Sequence, residues 1–242
     1  MIPFERHILV CTNRRDPQNP SVMIELGAAM VAMNGDNVLH GFRTSLINDT
    51  RDSAFLATQG HYFEIGGEMV IGTFDYPRAD IDFRQYWMLH ERPDHSGRHV
   101  LSYSTTFGVT GKNTPVYENF FAGGSADIRG FRDNTLGPAD FSAGFRQPLG
   151  GAFKTVATAE LIFPTPFMKE GSNTTRLSWF VDVGNVFKDY NAWDASELRA
   201  STGLSFQWRA PVGPIVISIS KPLRKQDGDD TESIQFSFGP QF

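Results

Sequence analysis

The last ten residues, Ser233-Ile234-Gln235-Phe236-Ser237-Phe238-Gly239-Pro240-Gln241-Phe242, alternate apolar with small or polar side chains over most of their length. A period of two places Ile234, Phe236 and Phe238 on one face of an extended chain and Ser233, Gln235 and Ser237 on the other. No helix makes that division, so the segment is read as a strand.

The same period recurs going upstream. Ile215, Ile217 and Ile219 alternate with Val216, Ser218 and Ser220, and Leu204, Phe206 and Trp208 interleave with Gly203, Ser205 and Gln207. Leu177, Trp179, Val181 and Val183 oppose Ser178, Phe180, Asp182 and Gly184. Ala157, Ala159, Leu161 and Phe163 oppose Thr158 and Glu160. Further segments follow over Leu101 to Val109, Ile81 to Leu89, Phe63 to Ile71 and Leu39 to Ile47, giving about nine strands, most of them about 9 to 14 residues long. Soluble strands average five or six residues, whereas a tilted membrane strand needs about ten. The expected fold is therefore all-β, an antiparallel transmembrane β-barrel with a polar lumen. A soluble β-barrel with its apolar face turned inward gives the same alternation, because the period does not say which face is inside. Short connections at Asp75 to Arg78 and Ala210 to Pro214, set against the long excursion from Lys112 to Gly151, suggest short turns on one rim and long loops on the other.

Composition agrees with this reading. The 242 residues carry 22 basic and 27 acidic side chains for a formal charge of -5, with 40% hydrophobic residues, 21 Phe and 23 Gly. The longest apolar runs fall well short of the roughly 20 residues of a membrane-spanning helix. Nothing supplies the basic patch that phosphate neutralisation demands, so nucleic acid is not an expected partner. Cys11 stands alone, which rules out an internal disulfide or a paired-cysteine metal site.

Residues 1–37 read differently, as an extension or residual linker ahead of a barrel portion at 38–242. His7 to Thr12 resembles a short strand, Arg14 to Pro20 is a polar connector, and Ser21 is a candidate cap for a short helix from Val22 to Met33. Glu5, Arg6 and His7 stand where a secretory signal would have its apolar core, so an export signal is expected to lie outside this sequence.

The excursion contains Tyr117-Glu118-Asn119-Phe120-Phe121-Ala122-Gly123-Gly124-Ser125-Ala126-Asp127-Ile128-Arg129-Gly130-Phe131. A guanidinium on a loop that enters a lumen needs a carboxylate, and Glu160 and Asp182 lie on the polar faces of later strands. From residue chemistry alone, a surface-turn arginine is the better reading of Arg129. The segment nevertheless resembles the loop signature of the BamA-type family of outer-membrane assembly factors, in which a (Val/Ile)-Arg-Gly-(Phe/Tyr) tip folds back into the barrel against acidic wall residues. Asn48-Asp49-Thr50-Arg51-Asp52 with Thr58-Gln59-Gly60, Ala159-Glu160-Leu161-Ile162-Phe163-Pro164 and Phe180-Val181-Asp182-Val183-Gly184-Asn185-Val186 are similar to other stretches of that family and fall in the same order.

The resemblance covers residues 38–242. It implies Arg129 as loop anchor, Gly130 and Phe131 as the shaped tip, Glu160 and Asp182 as lumen partners, and Phe236, Phe238 and Phe242 as a C-terminal strand signal. It also implies a bacterial outer-membrane location, non-enzymatic folding and insertion of β-barrel proteins, no cofactor, and contacts with lipid bilayer, substrate barrels and, in a full-length parent, accessory assembly lipoproteins. Family barrels have about sixteen strands after soluble repeats, so this chain is expected to be the C-terminal half of one, a truncated frame or a fusion. A passive secretion or translocation pore of the same superfamily and a soluble ligand-binding barrel remain as alternatives.

Other clusters have plainer readings. His90, Glu91, Asp94, His95 and His99 form a polar hairpin without metal-ligand spacing. Asp227-Gly228-Asp229-Asp230 reads as a charged turn rather than a calcium loop. Asn173-Thr174-Thr175 marks a loop, and Glu64 and Glu68 line the lumen.

Overall fold

The computed structural model describes residues 5–14, 38–93, 97–141, 145–165, 174–211 and 213–238. The helix expected over Val22 to Met33, Asp94, His95, Asn173 and Phe242 lie outside the described residues. In chain order the strands are β1 (Glu5–Arg14), β2 (Val38–Asp49), β3 (Gly60–Gly72), β4 (Tyr76–Glu91), β5 (Arg98–Thr110), β6 (Ala139–Asp140), β7 (Gln147–Pro148), β8 (Phe153–Pro164), β9 (Thr175–Phe187), β10 (Arg199–Ala210), β11 (Gly213–Arg224) and β12 (Ile234–Phe238). Ten of them form one sheet in the order β1-β2-β3-β4-β5-β8-β9-β10-β11-β12, and every neighbouring pair is antiparallel. All nine alternating segments are strands of this sheet. The tenth, β1, runs further in both directions than His7 to Thr12 and pairs with β2 from Glu5↔Ile47 to Arg14↔Val38. The short pair β6 and β7 makes a separate ribbon inside the excursion.

Register explains which face is which. Trp87 pairs with Leu101, Leu101 with Leu161, Leu161 with Trp179, Trp179 with Leu204, Leu204 with Ile219, and Ile219 with Ile234. This unbroken apolar row crosses seven strands, and its exposure ranges from 37% at Leu161 to 66% at Ile234. A continuous exposed apolar band is a cost in water and a requirement in lipid. The apolar face therefore points outward, which removes the soluble-barrel alternative, since that fold turns its apolar side chains in. No described helix is long and apolar enough to cross a membrane.

The inner face is small and polar. Arg43 on β2 makes a paired contact with Asp80 on β4 (2.6 and 2.7 Å) and lies 3.5 Å from Glu64, which also accepts the Tyr62 hydroxyl at 2.6 Å. Further round, Ser178, Ser201, Ser205, Ser218 and Ser220 are all buried. These short side chains leave room for the excursion, which folds back against them. Phe120, Ala122, Ile128, Phe131 and Leu136 of the excursion pack with Val156 of β8 and Val186 of β9 as one buried cluster. The hydrophobic core thus lies between loop and wall, not between two sheets.

Because each strand reverses direction, successive connections alternate rims. Connections 73–75, 111–152, 188–198 and 225–233 share one rim, and 50–59, 92–97, 165–174 and 211–212 share the other. The two short connections read from sequence consequently lie on opposite rims, which corrects the expectation of short turns on one side only.

Candidate functional site: the loop latch in the lumen

Gly130 has φ +91, a conformation that any Cβ would strain, and a Cβ there would lie 3.3 Å from Ser220 Oγ. This turn aims the preceding side chain, Arg129, at the wall. Two N–H groups of its guanidinium, Nε and Nη2, donate to the two oxygens of Asp182 on β9, each at 2.8 Å. The Arg129 backbone N–H adds a third bond to Asp182 at 3.0 Å. Nη1 donates to Glu160 on β8 at 3.1 Å and to Ser205 Oγ on β10 at 3.2 Å.

The carboxylates are themselves held. Thr158 Oγ1 donates to Asp182 at 2.9 Å, and Ser178 Oγ donates to Glu160 at 2.7 Å. Asp182 and Arg129 are both buried, so the pair is a dry, charge-assisted contact with its remaining polar atoms satisfied by neighbours.

Below the guanidinium lies Phe180, with the Arg129 Cζ 3.4 Å from the ring centroid. Phe180 pairs with Gly203 across β9 and β10, and a Cβ at Gly203 would stand 2.8 Å from the ring. The glycine is required for the ring to lie flat under the cation. Phe180 is thus part of the contact set around Arg129, one that the alternation placed on the inner face but did not connect to that arginine.

A second tie was also not read from the sequence. Gln235 on β12 donates through Nε2 to the Phe131 carbonyl (2.7 Å) and accepts the Gly130 N–H through Oε1 (3.1 Å). One side-chain amide thereby does what a neighbouring strand would do for two adjacent residues. Backbone bonds extend the seam: Glu232 N–H to Gly130 O at 3.0 Å, and Arg132 N–H to Asp230 O at 3.0 Å. The only signal in the sequence was a long amide among serines on the polar face. Replacing Gln235 by Leu should cost about 1–3 kcal/mol, because two buried backbone groups lose their partner. Hydrogen-exchange mass spectrometry should then show faster exchange over residues 230–238, and unchanged exchange would show that the amide holds nothing.

Two further ion pairs fasten the excursion. Lys154 Nζ on β8 lies 2.8 Å from both oxygens of Asp127. Burial pushes the Asp127 carboxyl up from its ordinary value against the pull of Lys154, so this contact fixes position more than it adds stability. The stretch read as a charged turn holds a fully buried carboxylate, Asp229, which accepts from Arg199 at 3.0 Å and stands 3.5 Å from Arg146 of the excursion.

The remaining predicted residues are placed as follows. Phe131 is buried in the loop core, while Phe236 and Phe238 face outward and are exposed. Phe242 lies outside the described residues. The His90 and His99 rings lie tilted to each other with centroids 5.8 Å apart, and no group of three or more metal-ligating side chains occurs among the described residues.

Comparison with known proteins identifies the architecture. The model of the Omp85 superfamily domain matches residues 10–242. The outer membrane protein assembly factor BamA of Neisseria meningitidis serogroup B is 29% identical over 221 residues, covering 79% of this chain and 27% of its own length. The sorting assembly machinery 50 kDa subunit of Saccharomyces cerevisiae is 22% identical over 242 residues, covering 93% of this chain and 48% of its own. The crystal structure of Haemophilus ducreyi BamA lacking POTRA domains 1–3 superimposes with a TM-score of 0.73 over 91% of this chain and 46% of that one, at 24% identity. The chain thus spans between about a quarter and a half of the proteins it matches. With the strand order, the outward apolar face and the inward loop already in place, the match over nearly the whole length means that the chain belongs to the Omp85 superfamily.

Proposed function

We propose that this chain is barrel wall and lumen loop of an assembly factor that folds and inserts β-barrel proteins into the bacterial outer membrane. The observation that carries the reading is the latch: Arg129 locks the excursion against β8 and β9, and Gln235 joins the same loop tip to β12. A lumen filled by its own loop is a poor open channel, so the passive-pore alternative has less support. The strand β12, tied to that loop, is a held edge. Among the described residues β12 pairs only with β11, so its other edge would accept an incoming strand by β-augmentation.

In this mechanism Arg129, Glu160 and Asp182 anchor the loop, Gly130 and Phe131 shape its tip, and Phe236 and Phe238 meet lipid beside the edge, with Phe242 completing the strand signal. No bond is made or broken and no cofactor takes part. The partners are the bilayer, unfolded outer-membrane barrels and, in the whole protein, accessory lipoproteins. The names of the relatives support this assignment, and the lipid-facing belt supports the location.

The test is insertion itself. Liposomes carrying the whole protein that contains this chain should fold a urea-denatured outer-membrane barrel at least about tenfold faster than empty liposomes, equivalent to 1.4 kcal/mol off the barrier. An unchanged rate accompanied by steady ion conductance would sink the proposal and favour a pore.

A further inference from the structure

We propose that the lumen mouth on the rim opposite the excursion is a binding site for a phosphate group, built by Arg98 of β5, Arg176 of β9 and Arg209 of β10. The site stands apart from the latch and does not depend on the assembly reading.

Alternation brings the three together. Arg98 lies two residues from inward Val100, Arg176 two from inward Ser178, and Arg209 four from inward Ser205, all buried positions on the polar face. Each arginine therefore projects inward at the strand end nearest this rim. They line one cavity of about 320 Å³ together with Asp52, Thr58 and Thr175.

The connection 50–59 crosses this mouth and meets all three cations. Arg98 donates to Thr58 Oγ1 at 3.1 Å, Arg176 to the Ala57 carbonyl at 2.9 Å, and Arg209 to the Phe55 carbonyl at 2.9 Å. Charge is not balanced there. Arg98 has Glu91 at 2.7 Å and Asp52 at 3.7 Å, but neither Arg176 nor Arg209 has an ion-pair partner among the described residues. Asp52 spends its oxygens on the Thr58 N–H and hydroxyl and on the Gln59 N–H.

Unused donors point to a ligand rather than a purely structural cluster. A guanidinium carries five N–H donors, and Arg176 commits one nitrogen to the connection. Like charges gathered at the edge of a low-dielectric wall repel one another, and an oxyanion relieves that repulsion. Three forks arriving from three strands, with hydroxyls between them, suit a tetrahedral anion with several acceptor oxygens. A planar carboxylate has oxygens for only two of the forks.

The phosphate has two possible sources, free in solution or on a lipid headgroup at the membrane rim. The chain in maltoside micelles, free of phosphate-bearing detergent, is titrated with inorganic phosphate at constant ionic strength and followed by calorimetry. We expect saturable binding that weakens about tenfold in Arg176→Gln and in Arg209→Gln, each losing one charged fork. Phosphatidylglycerol doped into the micelles should displace phosphate if the source is lipid, and should leave it bound if the source is the free ion.

Arg176→Lys and Arg209→Lys keep all three positive charges but lose a planar fork, which separates loss of the site from loss of the fold, with an expected weakening of about threefold. A mobility shift between unheated and heated samples on SDS gels shows that each variant is folded. Absence of saturable phosphate binding, binding indifferent to Arg209→Gln, or capture of a polyglutamate peptide in place of phosphate would each overturn the proposal.

Discussion

Asp182→Ala should release the excursion from the lumen. The carboxylate takes three hydrogen bonds from Arg129, two from the guanidinium and one from the backbone, so its removal leaves a buried cation with Glu160 as its one remaining carboxylate. Breaking one half of a buried pair costs about 3–5 kcal/mol, a large share of the stability of a typical domain. In the full-length protein, proteases should then cut within residues 112–151 and the urea midpoint should fall, and under the proposed function assembly activity should be impaired.

Arg129→Ala is expected to do the same by removing the other partner. The double variant should be much less destabilised than the sum of the two, because the second change removes the unpaired charge left by the first. Such a cycle separates a latch from a surface contact, since exposed pairs couple by about 0.2–1 kcal/mol at most. Full loop protection in both single variants, together with undiminished complementation, would refute the anchor role.

The parts of this architecture that were legible in the sequence are those with a local cause. A two-residue period is written into each strand separately, so Leu204 and Phe206 could be assigned to one face without knowing what lies beside them. Which face meets lipid is not local. Only register shows that Trp179, Leu204 and Ile219 stand in one exposed row.

The latch was legible in a different way. Residue chemistry alone favours an exposed Arg129 and offers Glu160 and Asp182 only as candidates on the polar strand faces; the ordered resemblance tips the reading towards a buried pairing, and the structure brings the three within hydrogen-bond distance. Phe180 could not be connected to them, because an aromatic on a polar face gives no hint of what will stack on it. Gln235 was hidden for the same reason: its two partners are backbone groups about a hundred residues earlier in the chain. Asp229 looked like one more solvated acid in an Asp-rich turn until Arg199 and Arg146, from β10 and the excursion, closed over it. Sequence carries the alternation, but charge partners that arrive from distant loops are set by topology.

Leu204→Arg addresses the outward face directly. Leu204 sits mid-strand on β10 between Trp179 and Ile219, and all three are exposed. On a water-facing surface, a leucine-to-arginine change at so exposed a position would alter stability by no more than about 0.5 kcal/mol. At the lipid midplane an arginine costs about 2–4 kcal/mol.

The expected result is therefore a refolded protein whose urea midpoint in lipid vesicles drops sharply, with slower insertion into the bilayer. Ser205→Arg, the adjacent position facing the lumen, is a contrasting control. It should disturb the latch through Arg129, which donates to Ser205 Oγ, and so expose the excursion to protease without impairing contact with lipid. If Leu204→Arg leaves vesicle stability and insertion unchanged, the outward row does not face hydrocarbon. The membrane assignment of the whole sheet would fail with it, because register ties that position to six other strands, four on one side and two on the other.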